Sequence, residues 1–161
     1  MLVTTLAGQP AAAAFADGVR QSARFNQPTD VLVLAINLQA LCLIADSLNH
    51  RIRVLDLNSM AVATVAGNGA AGHDDGTGET ASFHAPCALA AASNSQIVWV
   101  ADMYNSVIRR LVIGERGGRL ASWVSTVEMF DTSGRYIRLL YPAGRAPLAA
   151  HALLLAACPA P

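Results

Sequence analysis

The sequence contains no lysine, few charged residues and no long uninterrupted apolar segment. All its basic residues are Arg, charged residues make up 14% of the chain, and the formal net charge is zero. A neutral chain has no overall attraction to nucleic acid or acidic lipid, so nucleic-acid binding is disfavoured. The longest apolar stretch, 31–45, contains Asn37 and Gln39 and is too short to span a bilayer. We therefore expect no contact with membranes.

The cysteines argue against a metal site or a disulfide framework, and the first residues argue against a signal peptide. Cys42, Cys87 and Cys158 have neither the spacing of a metal site nor the even number of a complete disulfide set. Cys42 and Cys87 lie in apolar runs, so we expect them to be buried thiols. Residues 1–10 lack the basic start and long apolar core of a signal peptide, which leaves the compartment unknown and the cytoplasm as the default.

What the sequence does contain is an internal repeat. The segment 45–55, ADSLNHRIRVL, recurs 56 residues later at 101–111 as ADMYNSVIRRL. A second set of residues recurs 58 residues later: Asp17, Gly18, Ala23, Phe25 and Pro28 return as Asp75, Gly76, Ala81, Phe83 and Pro86. The small difference between the two offsets places the length variation in loops, as in repeat proteins.

Each repeat contains four β-prone segments. They are 31–36, 41–45, 51–55 and 60–66 in the first repeat, and 87–92, 97–101, 107–113 and 120–127 in the second. Four short antiparallel strands in each long repeat are typical of a β-propeller blade, whose two faces are covered by neighbouring blades. We therefore predict an all-β fold, a partial β-propeller with two four-stranded antiparallel blades plus a strand of a preceding blade.

This interpretation divides the chain into five segments. Residues 1–22 would hold the last strand of a preceding blade, at 2–6, and an inter-blade loop. Residues 23–67 and 83–127 would form the two blades, joined by a loop at 68–82. Residues 128–161 would be a tail with room for one further strand at 136–140 before a disordered end.

The order A-G, D-G, A-x-F-x-x-P, A-D-x-x-N-x-x-I-R resembles the NHL repeat over residues 2–127. The resemblance implies blades of a six-bladed propeller. The long linker is similar to those of thioredoxin-like/NHL fusion proteins, although the CxxC motif of a thioredoxin is absent. Since two blades cannot close such a ring, the chain is either a fragment of a longer protein or associates head to tail.

The resemblance implies a protein-interaction scaffold that binds a protein partner and has no catalytic activity of its own. One alternative is a fragment of a six-bladed enzyme, a metal-dependent lyase or hydrolase. The other is an RNA-binding NHL propeller, because Tyr104, Trp123 and several C-terminal Arg residues could stack on bases. We expect Trp99 and Trp123 to be strand core instead.

The residues that define the repeat are predicted to be structural. Asp46 and Asp102 could be paired acids, but catalytic residues need not recur in every blade, so we expect each to accept hydrogen bonds in the following turn, near an Arg. Apolar positions should face the blade core and the Arg side chains the opposite face. The full set is Phe25, Pro28, Asp46, Asn49, Ile52, Arg53, Phe83, Pro86, Asp102, Asn105, Ile108 and Arg109.

The remaining candidates for chemistry give no site. The loop 67–83 carries Asp74, Asp75 and Glu79, which could bind Ca²⁺, but their spacing matches no EF-hand and the glycines no phosphate loop. The four His residues lack metal-ligand spacing. We therefore predict no catalytic residue, metal or cofactor. Arg110 occupies the position that Val54 has in the first repeat. An Arg at this position indicates that this face of the second repeat is less covered by a neighbouring blade.

Overall fold

The computed structural model describes residues 1–92, 96–116 and 119–127. Within them the chain forms two antiparallel sheets, which we call the first and second blades. The predicted tail, 128–161, lies outside the described residues. In the described part of the chain, no helix has both the length and the hydropathy that crossing a membrane requires.

The first blade has its strands in the order β1-β5-β4-β3-β2. The strands are β1 (Gly18–Val19), β2 (Pro28–Ile36), β3 (Gln39–Asp46), β4 (Arg51–Asp56) and β5 (Ala61–Ala66). A 3-10 turn at Ser47–Asn49 connects β3 to β4. Another 3-10 turn, Arg20–Ser22, follows β1.

The second blade repeats this topology in the order β6-β10-β9-β8-β7. Its strands are β6 (Gly76–Thr77), β7 (Pro86–Ala91), β8 (Ile97–Asp102), β9 (Val107–Arg116) and β10 (Arg119–Val127). The 3-10 turn Met103–Asn105 connects β8 to β9, at the same place as the corresponding turn of the first blade.

The predicted fold class is confirmed: the chain is all-β, with four long antiparallel strands in each of two blades. Each blade also has a fifth strand of two residues, which begins at the Gly of a D-G pair predicted only as a turn. Gly18 and Gly76 have φ of 153° and 157° and pair with Val62 and Val124 on the outer long strand of each blade.

The segment 2–6 forms no strand in the described structure and pairs with neither blade. Its predicted partners would belong to a preceding blade that the described residues do not include. Its assignment to such a blade, and with it the five-segment division of the chain, stays a prediction.

The two blades pack face to face through one apolar core. Leu43, Ile52 and Val54 of the first blade and Val100 and Leu111 of the second belong to this core and are at most 5% exposed. Burial of apolar surface on this scale is the main stabilising contribution to this contact between the two blades, which we call the seam.

The two outer faces are less covered than the seam. Val31 in β2 is 62% exposed, whereas its counterpart in β7, Leu89, is 8% exposed because the first blade covers it. On the opposite side, Arg110 is exposed where the first blade has buried Val54. The expectation that Trp123 is strand core is wrong: it is 53% exposed, since it lies on this outer face.

Candidate functional site

A buried Asp closes the turn between the two central strands of each blade. In the first blade, Asp46 Oδ1 accepts from the backbone N–H of Asn26 at 2.8 Å, and its Oδ2 accepts from Asn49 Nδ2 at 2.8 Å. The next residue, His50, takes the left-handed conformation with φ of 54°, which fits the short polar turn. The side chain of Asp46 therefore shapes the turn from inside.

The second blade reproduces this turn with neighbours at equivalent positions, and the bond from Asn105 to Gly72 repeats that from Asn49 to Ala14. Asp102 accepts from the backbone N–H of His84 at 2.7 Å and from Asn105 Nδ2 at 2.7 Å. Asn105 also donates to the carbonyl of Gly72 at 2.7 Å, which fixes the linker loop against the turn. Ser106 takes the left-handed conformation with φ of 57°.

A fully buried Arg completes the cluster of the first blade. Arg53 Nη1 donates to Asp46 Oδ2 at 2.8 Å and to the carbonyl of Arg24 at 3.0 Å. Its Nη2 donates to the carbonyl of Ala16 at 2.7 Å and to the carboxylate of Asp17. One guanidinium thus joins the turn, the strand β4 and the segment that leads into the short strand β1.

The second blade has the same cluster around Arg109. Its Nη1 donates to Asp102 Oδ2 at 3.2 Å and to the carbonyl of Ser82 at 2.8 Å. Its Nη2 donates to Asp75 Oδ1 at 2.7 Å, and Asp75 also accepts from the backbone N–H of Thr126 at 2.7 Å. The proximity of each Arg to an Asp agrees with the sequence expectation. Sequence reasoning missed that Asp17 and Asp75 also bind these Arg side chains, although the recurring D-G pair could have indicated it.

The recurring Phe residues lie beside the Arg side chains. The guanidinium carbon of Arg53 is 5.2 Å from the ring centroid of Phe25, and that of Arg109 is 5.2 Å from that of Phe83. Stacking of a guanidinium on an aromatic face is favourable, most of all where water is excluded. These contacts place Phe25 and Phe83 in the same structural unit as the ion pairs.

The other predicted residues lie in the strands around the clusters. Ile52 and Ile108 are buried on the strand face opposite the Arg side chains, as alternation predicts. Pro28 and Pro86 begin the strands β2 and β7. Pro86 is buried in the seam and Pro28, its counterpart, is exposed.

Burial and hydrogen bonding act in opposite directions on the carboxyl groups of the second cluster. Burial raises the pKa of Asp102, against the effect of the bonds from Asn105, His84 and Arg109. Burial also acts to raise the pKa of Asp75, but the bonds donated by Thr126 and Arg109 outweigh it and lower that pKa. Donors occupy both oxygens of Asp102, and Oδ1 of Asp75 accepts three hydrogen bonds, so the cluster holds backbone in place.

The seam between the blades adds polar contacts that occur once. Ser47 Oγ donates to the carbonyl of Pro86, and the backbone N–H of Leu89 donates to Asp30 Oδ2 at 2.6 Å. The backbone N–H of Ala85 donates to His50 Nδ1 at 3.1 Å. Sequence reasoning missed these contacts because Asp30, Ser47 and His50 have no identical counterpart in the second repeat.

Three rings lie together where the seam reaches the surface, and Leu48 belongs to the same turn as one of them, His50. The rings of His50 and His84 have centroids 5.5 Å apart, and those of His84 and Tyr104 are 5.0 Å apart, both edge to face. Tyr104 is 52% exposed and Leu48 is 42% exposed. We call Leu48, His50, His84 and Tyr104 the seam surface.

The protonation state of His50 follows from its contacts. Burial is the first cause that lowers its pKa, followed by repulsion from His84 and Arg51. Because Nδ1 accepts a hydrogen bond from Ala85, the neutral ring carries its hydrogen on Nε2. The described residues contain no group of three or more His, Cys, Asp or Glu side chains arranged to bind a metal ion.

Comparisons with known proteins give partial matches to curated proteins. No family model matches the chain. NHL repeat-containing protein 2 from Bos taurus is 36% identical over 96 residues, which are 59% of this chain and 13% of that protein. Its namesake from Gallus gallus is 41% identical over 69 residues, 42% of this chain and 10% of that protein. Protein SUPPRESSOR OF QUENCHING 1, chloroplastic, from Arabidopsis thaliana is 42% identical over 66 residues, 41% of this chain and 6% of that protein.

Solved structures match a larger share of the chain. An auxiliary nutrient binding protein from Bacteroides thetaiotaomicron has a TM-score of 0.56 at 23% identity, over 75% of this chain and 28% of that one. A protein of unknown function from the same organism has a TM-score of 0.58 at 25% identity, over 74% of this chain and 26% of that one. In all these comparisons the chain spans little more than a quarter of the matched protein, or less.

The fold and the clusters together define a partial β-propeller whose blades are held by a repeated Asp–Arg unit. The matches to curated proteins then specify the type of blade. The repeats of this chain are related to those of the NHL repeat family.

Proposed function

We propose that this pair of blades is a protein-interaction scaffold without catalytic activity of its own, and that the seam surface contacts the partner. The observation that carries the proposal is that the side chains fall into two groups, one inside the blades and one at the surface. The recurring polar residues bond one another inside the blades, whereas Leu48 and Tyr104 are exposed and the ring of Tyr104 contacts that of His84. The first group serves the fold, which leaves the second group for recognition.

The composition of the seam surface favours a protein as the partner. Tyr is among the residues enriched at the energetic centres of protein interfaces, since its ring gives large contact area at low conformational cost. Leu48 adds exposed apolar area in the turn that carries His50, and His50 offers a hydrogen-bond donor at Nε2.

The proposal can be tested without knowing the natural partner. A library of random peptides displayed on phage is selected on the purified chain, and the affinities of the enriched peptides are measured by calorimetry. We expect Tyr104→Ala and Leu48→Ala each to weaken binding by tenfold or more. Leu38→Ala is the matched control, because Leu38 is fully exposed in the hairpin between β2 and β3, at the other end of the strands.

Three results would overturn the proposal. One is the absence of any enriched peptide, and another is equal binding to Tyr104→Ala and to the unaltered chain. The third is stoichiometric Ca²⁺ or Zn²⁺ in the purified protein, which would favour the enzyme. A mobility shift with single-stranded RNA that weakens steeply with salt would favour the RNA-binding alternative instead.

A further inference from the structure

The linker loop 68–82 begins with a pair of residues that can react with each other. Asn68 and Gly69 follow β5 after one residue, and no other Asn of the sequence precedes a Gly. Because Gly has no side chain, its backbone nitrogen is unhindered and the backbone around it is conformationally permissive. This nitrogen can therefore reach the side-chain amide of the preceding Asn, an attack that any larger residue at the second position would slow.

The attacking nitrogen of this pair has no hydrogen bond to lose. The backbone N–H of Gly69 donates to no acceptor in the part of the chain that the structure describes. Both neighbouring N–H groups do donate, that of Asn68 to the carbonyl of Ala81 at 2.9 Å and that of Ala70 to Asn68 Oδ1 at 2.8 Å. Asn68 is also exposed, so water has access to it.

The amide of Asn68 is held in a conformation that favours the attack. Its Oδ1 accepts from the N–H of Ala70, which folds the side chain back over the backbone in an Asx turn. When the nitrogen of Gly69 adds to Cγ, negative charge develops on Oδ1, and this N–H stabilises it as a donor of an oxyanion hole does. The leaving nitrogen, Nδ2, is held only by a long hydrogen bond of 3.4 Å to the carbonyl of Thr80.

A guanidinium lies beside the same peptide group. Arg51 Nη2 donates to the backbone carbonyl of Asn68 at 2.9 Å, and the guanidinium carbon lies 3.9 Å from the ring centroid of Phe15. A Cβ on Gly69 would collide with this guanidinium, so Gly69 is also what lets Arg51 approach. A positive charge here stabilises a carboxylate that forms at residue 68.

We propose that Asn68 is a site of spontaneous covalent modification, at which the chain deamidates through a succinimide. The backbone nitrogen of Gly69 bonds to Cγ of Asn68 and gives up its proton, the Cγ–Nδ2 bond breaks, and Nδ2 leaves with that proton as ammonia. Water is the second reactant and opens the ring at one of its two carbonyls. Opening at Cγ gives an ordinary aspartate, whereas opening at the former backbone carbonyl gives an isoaspartate.

The position of Arg51 favours the isoaspartate. In that product the former backbone carbonyl of residue 68 has become the carboxylate, and Arg51 Nη2 already donates to its oxygen. The same bond polarises this carbonyl, which directs water to it, and a hydrogen bond between two charged groups is stronger than one to a neutral carbonyl. The modification therefore adds a negative charge beside Arg51 and reroutes the backbone of the linker through the side chain.

The two Asp-Gly pairs of the chain provide a contrast. Asp17 and Asp75 also precede a Gly, but each carboxylate binds a buried Arg. An ionised carboxylate repels an approaching lone pair and has a poor leaving group, so it is a much weaker electrophile than an amide. We expect both pairs to remain unaltered under conditions in which Asn68 reacts.

The test is to incubate the purified chain in neutral buffer at physiological temperature for several weeks. Peptide mapping by mass spectrometry, with fragmentation that distinguishes isoaspartate from aspartate, then follows each Asn. We expect Asn68 to react about tenfold faster or more than Asn58, an exposed Asn in the turn after β4 that precedes Ser59. Isoaspartate should be the main product, and the folded chain should react at least as fast as the chain unfolded in urea.

Two variants test the chemistry and the role of the guanidinium. Asn68→Gln lengthens the side chain and requires a larger ring, so residue 68 should remain unaltered over the same period. Arg51→Gln should lower the ratio of isoaspartate to aspartate several-fold. Its folding should be retained, since Val107 occupies the equivalent position of the second blade, and circular dichroism checks it.

The proposal fails on any of three results. The first is equal conversion of Asn68 and Asn58, and the second is slower conversion in the folded chain than in urea, which would mean that the fold protects the amide. The third is the same product ratio in Arg51→Gln and in the unaltered chain. Since these variants leave the four residues of the seam surface unchanged, the result is independent of the peptide-binding test.

Discussion

Arg53 Nη1 lies 2.8 Å from Asp46 Oδ2, and neither side chain is exposed to solvent. Arg109 and Asp102 repeat this pair at 3.2 Å in the second blade. In both blades the guanidinium also binds backbone carbonyls of the segment that leads into the short outer strand. The pair therefore ties the centre of each blade to its edge, and its recurrence follows from the need to do so in every blade.

The close approach of backbone at Gly67 leaves no room for a side chain there. Gly67→Ala would place a Cβ 2.5 Å from the His50 carbonyl and 3.0 Å from the Cα of Arg51, both in backbone that cannot easily move. Gly8→Ala has nearly the same φ but meets only a ring. We expect about 1–2 kcal/mol of lost unfolding free energy for Gly8→Ala from backbone strain, and more for Gly67→Ala, by urea denaturation.

Gly114→Ala is the control for these two variants, because nothing lies within 4 Å of its added Cβ. It should leave stability unchanged or slightly raised, since Ala suits a strand better than Gly. Equal losses for Gly67→Ala and Gly8→Ala would show that the first blade's turn does not press on Gly67.

The burial of His50, together with repulsion from His84 and Arg51, should make stability depend on pH. The pKa of His50 is lowered in the folded chain, so the unfolded chain binds more protons near its ordinary pKa of about 6.5. Stability is therefore fully present above that value and falls as the pH drops below it. We expect the thermal midpoint to decrease between pH 7.5 and 5.5, and His50→Gln to reduce this decrease.

His73→Gln serves as the control for that experiment, because His73 is exposed in the linker loop. It should leave the pH dependence of the midpoint as it is in the unaltered chain. The account fails if His50→Gln and His73→Gln have the same effect.

Asp75 should hold the short outer strand to the second blade. Its carboxylate accepts from Arg109 and from both the backbone and the hydroxyl of Thr126. Asp75→Ala should cost about 1–2 kcal/mol of unfolding free energy at pH 7, a moderate loss because the side chain is partly exposed. Glu79→Ala, an exposed carboxylate in the same loop, should cost about 0.5 kcal/mol or less.

Acid should remove part of the contribution of Asp75. Its pKa is lowered in the folded chain, so the stability that it supplies is present above the ordinary Asp value and is lost as the pH falls through the folded pKa. The difference between the unaltered chain and Asp75→Ala should therefore shrink below about pH 4. A difference that is the same at pH 7 and at pH 3 would contradict the ion pair.

Much of the fold could be predicted because it repeats. The period of the repeat and the apolar runs locate all eight long strands, and the recurrence of Asp46 and Arg53 indicates a structural pair. Asp17 and Asp75 could not be assigned to Arg53 and Arg109, because those contacts join residues 36 and 34 positions apart through the folded blade.

The parts that sequence reasoning missed occur once. His50, Ser47 and Asp30 act only where the first blade meets the second, so a comparison of the repeats does not reveal them. Trp123 was misplaced for a related reason. An apolar strand residue of a propeller is buried only if a neighbouring blade covers it, and composition does not say which faces are covered.

The most direct test of the account is the free energy of unfolding of Asp46→Asn, measured with urea. The amide cannot replace the carboxylate that pairs with buried Arg53, so we predict a loss of about 3 kcal/mol or more. Asp56→Asn, in an exposed turn where an amide oxygen can still accept, should lose about 1 kcal/mol or less. If Asp46→Asn is as stable as the unaltered chain, the recurring Asp is not what holds the blade together, and the central claim is wrong.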